Sequence, residues 1–227
     1  MLSADDLSAF VLTFQLAGVS TLILLLLGTP LAWWLSQTRS RWRSPIEALI
    51  ALPLVLPPTV LGFYLLLSIS PSGPIGSLLQ ALGLPSLAFS FWGLVLGSVI
   101  YSLPFVVQPL QTAFSSINRQ LLEVSATLGA KSLDRFLSIV LPMSKIGYVT
   151  AIVLGFAHTM GEFGVVLMIG GNIPGSTQVL SIAIYEHVES LEYGQAHWLS
   201  GILLVLSFAV LLVVYTTNRR GFKVSAP

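Results

Sequence analysis

Cysteine is absent from the 227 residues, and only 8% of them are Asp, Glu, Lys or Arg. The first absence excludes a disulfide framework and any thiolate metal or nucleophile site. The second falls far below the roughly 25% charge of soluble domains, leaving too little polar surface to face water on every side. No polar block is long enough to fold separately, so residues 1–227 are read as a single membrane domain with its core at about 10–215. A net charge of +1 gives no electrostatic footprint for nucleic acid. What the chain does have is apolar: 55% hydrophobic residues and a mean hydropathy of +0.89.

A helix needs about 20 mostly apolar residues to cross a bilayer. Five stretches meet that length or approach it: Phe10 to Leu35, Ile46 to Ile69, Phe89 to Leu110, Ile146 to Gly170, and Trp198 to Tyr215. The first is not read as a removable leader, because Asp5 and Asp6 precede it without any Lys or Arg and its apolar run is too long. The ten basic residues cluster at Arg39, Arg41 and Arg43, at Arg119, Lys131, Arg135 and Lys145, and at Arg219, Arg220 and Lys223. Five crossings put all of them on one side. By the positive-inside rule that side is cytoplasmic, with the N-terminus outside and the C-terminus inside. The chain is therefore expected to be a multi-pass plasma-membrane protein. A sixth span at Val179 to Val188 would carry Arg219, Arg220 and Lys223 outside and is too short to cross. That segment is read as a short helix along the interface or dipping back into the bundle, after a turn at residues 170–175. Another short helix is expected around Ser77 to Leu82. The fold class is therefore all-α integral membrane, with five transmembrane helices.

Residues 113–145 form the longest cytoplasmic stretch and read as structured. Leu121, Val124, Ser125 and Leu128 fall on one helical face. Gly129 follows where a helix stop belongs. Ser132 is placed to cap a second short helix with Asp134 in its first turn, and Pro142 should push Leu141 to an extended conformation. The outcome is a helix, turn, helix that protrudes from the membrane. Taken alone, it would also suit an amphipathic segment on the bilayer surface.

Here the chain resembles a family, the transmembrane subunits of type I importers driven by an ATP-binding cassette. Their signature is Glu-Ala-Ala, three residues, Gly, nine residues, Ile, one residue, Leu-Pro. This chain has Glu123-Val124-Ser125, then Gly129, Ile139 and Leu141-Pro142 at that spacing, with Val124 and Ser125 replacing the alanines. The resemblance implies a coupling loop that fits a groove on a separate ATPase. Leu121, Val124, Leu128 and Phe136 would form its apolar contact, with Glu123, Lys131 and Arg135 at the polar rim. It further implies a homodimer served by two ATP-binding cassette ATPase subunits and an external oxyanion-binding protein. ATP and Mg would sit on the partner ATPase and no cofactor in this chain.

Other motifs carry less. Gly129-Ala130-Lys131-Ser132 lacks the Gly-Lys adjacency and upstream glycine of a phosphate-binding loop, so no ATPase activity and no catalytic residue is expected here. His158 and Glu162 lie four apart without the second histidine of a zinc-protease motif, and a hydrogen bond inside the bundle is preferred over a metal site. Glu162 is the one charge deep within a span, and such groups have a partner and a role. Gly93 and Gly97 suit close helix packing. Pro53, Pro57 and Pro58, with Pro104 and Pro109, should bend the second and third spans.

Within the family the resemblance is to the oxyanion branch, and especially to molybdate permeases. It is carried by residues 52–62 of the second span, by Gly161-Glu162-Phe163-Gly164, and by Gly171-Asn172-Ile173-Pro174-Gly175. It implies import of molybdate, with tungstate carried by the same geometry, and sulfate or thiosulfate as the alternative. No Lys or Arg lies deep in a span, so Thr59, Ser98, Ser102 and Thr159 are the weak contacts expected along the path, with His158 and Glu162 at a gate. An ion-coupled secondary transporter or channel, with His158 and Glu162 as a proton relay, is the reading from a different class.

Overall fold

The computed structural model describes residues 3–221, with side chains through residue 216. The basic side chains Arg219, Arg220 and Lys223, used above to orient the chain, lie outside the described side chains. The described residues are helical without any strand. In chain order the helices are α1 (Ala4–Gln37), α2 (Arg43–Ala51), α3 (Pro58–Ile69), α4 (Pro74–Ala81), α5 (Phe91–Ser115), α6 (Arg119–Thr127), α7 (Ser132–Arg135), α8 (Leu141–Met143), α9 (Lys145–Met160), α10 (Gly164–Gly170), α11 (Leu180–Glu189) and α12 (Tyr193–Gly221).

Among the described residues, four stretches are long and apolar enough to cross a membrane: Ala4–Gln37, Pro58–Ala81, Phe91–Ser115 and Tyr193–Thr216. The pair Ser132–Met143 and Lys145–Met160 could supply a fifth, but it bends by 74° between its halves. At about 1.5 Å per residue, α9 alone is roughly 24 Å long. The core is built by α1, α5 and α9, which pack on one another along their lengths. Leu16, Leu24, Val106, Leu110 and Phe114 are fully enclosed there. The outward side chains of α12, including Leu204 and Phe208, are exposed and apolar, as a lipid-facing helix requires.

Two sequence expectations need correction. The second span is not one helix from Ile46 to Ile69. It breaks after α2, passes through a 3₁₀ turn at Leu52–Leu54, and restarts at Pro58. Proline has no N–H to give and a fixed φ, so Pro58 suits the first position of a new helix and not the interior of an old one. The fourth span is likewise interrupted, with α9 ending at Met160 and α10 beginning at Gly164. By contrast Pro104 and Pro109 lie inside α5, which continues as one helix through both.

The short helix at Val179 to Val188 exists as α11 and packs on α1 and α12. Its start is anchored by Thr13, whose hydroxyl accepts the Leu180 N–H at 2.8 Å while donating to Ala9 O at 2.7 Å. The turn ahead of it uses Gly171 and Gly175 at φ +65° and +72°, a conformation glycine adopts without penalty. Gly93 and Gly97 are sites of close packing: a Cβ on Gly97 would come within 2.6 Å of the Ile169 side chain on α10.

Candidate translocation site and coupling hairpin

The two breaks lie side by side. A Cβ on Gly164, at the start of α10, would fall 2.8 Å from Pro58 Cβ and 3.5 Å from Thr59 N at the start of α3. Only glycine lets these two half-helices begin so close together. Beside them is a cavity of about 520 Å³ bordered by Thr59, Tyr101, His158, Glu162 and Gly164.

Between α5 and α9 runs a buried polar cluster. Ser98 Oγ donates to Glu162 Oε2 at 2.8 Å. Ser102 Oγ lies 2.8 Å from His158 Nδ1 and 3.0 Å from Thr159 Oγ1. Ser98, Ser102, Thr159 and Glu162 are all buried, Glu162 at 4% exposure. The Ser181 hydroxyl of α11 donates to the Glu162 carbonyl at 2.5 Å, tying the break in the fourth span to α11. Glu162 Oε1 is enclosed and has no partner among the described residues. The His158 ring stacks on Phe105 with centroids 3.9 Å apart and tilts against Tyr101 at 4.8 Å.

Five of the six expected pathway or gate residues, Ser98, Ser102, His158, Thr159 and Glu162, thus meet in one place. Their hydroxyls face one another more than open space. Thr59 stands apart, exposed at the cavity edge on α3. Tyr101, Phe105 and Ser181 went unnoticed in the sequence. The first two were findable, because Ser98, Tyr101, Ser102 and Phe105 follow the i, i+3, i+4, i+7 rule of one helix face; Ser181 joins through tertiary packing alone.

At the other functional end, α6 begins with Asn118, whose Oδ1 accepts the Gln120 N–H at 2.9 Å. It stops at Gly129, φ +87°, with Ala130 N–H bonded back to Ser125 O at 3.0 Å. This left-handed closure satisfies carbonyls that the helix end would orphan. Leu121, Val124 and Leu128 are exposed by 46%, 57% and 82%, forming an apolar face that no other described residue covers. Glu123 and Lys131 are exposed beside it. Leu122, not singled out in the sequence, is the buried residue that seats α6 on the bundle.

The hairpin departs from expectation at four side chains. Phe136 is half-buried and turned inward, its ring 5.7 Å from Trp33 and 6.1 Å from Phe114; aromatic burial outweighs display to a partner. Arg135 ties α7 to α6 through Leu122 O at 3.3 Å and reaches Ser132 Oγ at 3.1 Å, so it braces the hairpin from within. Ser132 is the first residue of α7 and makes no cap, that position falling to Lys131. Leu141 is helical, φ −60° and ψ −48°, instead of extended. Pro142 occupies the first turn of α8, following a π-turn at Phe136–Val140, where its missing N–H costs little. Ile139 is half-buried against the core, while Leu141 and Pro142 are exposed.

A bundle of apolar helices, interrupted beside a buried polar cluster and carrying a braced amphipathic hairpin at one end, defines a membrane-embedded transport subunit. The chain belongs to the family of binding-protein-dependent transport system inner membrane components, whose model matches residues 18–220. It is 57% identical, over 96% of both chains, to the molybdenum transport system permease protein ModB of Azotobacter vinelandii. It is 38% identical to the protein of that name from Haemophilus influenzae, over 82% of this chain and 81% of the other. A probable sulfate transport system permease protein of Zygnema circumcarinatum is 31% identical over 92% of this chain and 72% of its own length.

The fold is that of a type I importer transmembrane domain. A crystal structure of a bacterial alginate ABC transporter, in complex with a periplasmic protein bound to an alginate pentasaccharide, superposes with a TM-score of 0.77 at 20% identity. The match covers 99% of this chain and 82% of that one. An amino acid ABC transporter crystallised with histidines gives 0.62 at 15% identity over 95% of this chain and 94% of the other.

Proposed function

We propose that this chain is the pathway-forming permease subunit of an ATP-driven importer for molybdate, with tungstate carried by the same geometry. The observation that carries the reading is the 57% identity along nearly the whole length of the Azotobacter vinelandii molybdenum permease. Sulfate permeases align over the same region at far lower identity. The chain performs no chemistry of its own. ATP and Mg belong to two separate ATPase subunits, and an external binding protein selects the oxyanion and delivers it.

Two copies of the chain form the path. The exposed Leu121, Val124 and Leu128 face supports docking of an ATPase, with Glu123 and Lys131 at its rim. A hairpin braced by Arg135 and by the Trp33, Phe114 and Phe136 rings is stiff enough to pass rigid-body motion to α1 and α5. ATP-driven closure of the ATPases opens the outer side, and hydrolysis resets the path inward. The docking hairpin lies in the cytoplasm, which sets the N-terminus outside and the C-terminus inside the bacterial inner membrane.

Thr59, with the backbone at the start of α3, offers an anion weak contacts. The enclosed Glu162 holds the break in the fourth span and is not a ligand. The test is ATPase stimulation of the reconstituted complex by binding protein loaded with molybdate, tungstate or sulfate in turn. Stimulation by molybdate and tungstate is expected; stimulation by sulfate alone would overturn the assignment. Copurification checks the assembly: the ATPase should stay with the wild type and be lost on Glu123 or Gly129 substitution, whereas an ion-coupled carrier would need no such partner.

A further inference from the structure

At the end of the bundle opposite the hairpin, an imidazole of α11 meets a buried carboxylate in the first turn of α1. Asp6 is only 3% exposed and closes a capping box with Ser3. Its Oδ1 lies 2.8 Å from His187 Nε2, in the last turn of α11. The other ring nitrogen, Nδ1, lies 2.9 Å from Glu192 Oε2, in the turn that leads to α12. That turn is drawn back to the ring by the Glu192 N–H bond to His187 O at 2.8 Å, and it holds Leu191 at φ +61°. A non-glycine residue persists there only when its surroundings hold it.

Both ring nitrogens face carboxylate oxygens. Ionised carboxylates only accept, and a neutral imidazole has a single N–H. The neutral ring would therefore aim a lone pair at one of the two acids, and only the doubly protonated ring donates to both. We propose that His187 is a proton-operated latch: as an imidazolium it joins α1, α11 and the turn before α12, and loss of its proton frees one carboxylate and loosens that end of the bundle.

The charges acting on the ring are Asp6 from α1 and Glu192 from the turn. The remaining charged or titratable groups on the elements around it are engaged or face outward. Asp5 is exposed, Glu186 accepts from Asn172 and Gln178, Glu189 accepts from Tyr185, and His197 of α12 is exposed. Burial of the ring works against its charge, but the hydrogen bonds to Asp6 and Glu192 outweigh it and raise His187 above its ordinary 6.5. A raised histidine contributes stability that is fully present below its unfolded value. That contribution is lost as pH rises through the folded value.

Hydrogen exchange of residues 180–192 tests the latch in the full chain reconstituted in lipid, followed from about pH 5.5 to 9 and corrected for base-catalysed intrinsic exchange. In the wild type, local opening should stay flat in acid and then increase by up to about tenfold per pH unit above the onset. His187→Gln should abolish that rise. Glu192→Gln changes an exposed acceptor and leaves the fold intact; it should move the onset to lower pH. A flat wild-type profile, or a rise unaltered by Glu192→Gln, overturns the latch even if His187→Gln fails to fold.

Discussion

Ser98 of α5 donates its hydroxyl to Glu162 across 2.8 Å, joining the central helix of the bundle to the break in the fourth span. The other carboxyl oxygen of Glu162 is enclosed, with no partner among the described residues. Because Gln keeps a carbonyl oxygen to accept the Ser98 bond, Glu162→Gln should leave assembly and substrate-stimulated ATPase activity intact. Ser98→Ala should instead lower stability by about 1–3 kcal/mol, the cost of an unsatisfied buried acceptor, measured by thermal unfolding in detergent. Loss of substrate dependence in an assembled Glu162→Gln complex would show the carboxyl to act in the pathway itself.

The hairpin presents two hydrophobic faces, and substitution should separate them. Leu128→Ala removes a side chain that touches solvent, so stability should change by less than about 0.5 kcal/mol, while ATPase copurification weakens. Phe136→Ala removes a ring from the cluster with Trp33 and Phe114 and should cost roughly 2–3 kcal/mol, somewhat under the penalty for a fully buried phenylalanine. Unfolding midpoints and pull-down yields, taken together, should order the two variants oppositely.

The apolar face of α6 was legible because helix periodicity exposes it residue by residue, and Gly129 because a helix stop there needs a left-handed residue. The inward turn of Phe136 was not. The same spacing suits docking or packing, and only the placement of Trp33 and Phe114, distant in sequence, decides. The broken spans show a similar limit. Pro57 and Pro58 were expected to bend a helix, as were Pro104 and Pro109. The first pair caps and starts α3, after α2 has already ended at Ala51, whereas the second lies within α5, which continues unbroken. Hydropathy cannot tell these cases apart, since both segments are uniformly apolar. The charges told more, because ten basic residues at span edges restrict the number of crossings. The meeting of His187 with Asp6, 181 positions away, left no trace in local pattern.

Gly129 provides a test of backbone geometry alone. A Cβ there would meet nothing within 4 Å, yet φ is +87°. Gly129→Ala should therefore cost about 1 kcal/mol through strain without steric clash. Since the strain loosens the end of α6, ATPase coupling should fall more than overall stability. Gly129→Asn, which tolerates the left-handed region, should recover most of both.

Thr13 carries the clearest structural prediction, because its hydroxyl is at once the acceptor for Leu180 N–H and a donor to Ala9 O. Valine has the same shape without the oxygen. Thr13→Val should leave the Leu180 N–H, buried where α11 meets α1, without an acceptor, at a cost of about 1–3 kcal/mol. The loss should be local: hydrogen exchange should quicken at the start of α11 while the α5 and α9 amides keep their protection. Uniform loss across the bundle would instead make α11 part of the cooperative core, and would place it among the elements that fold with α1.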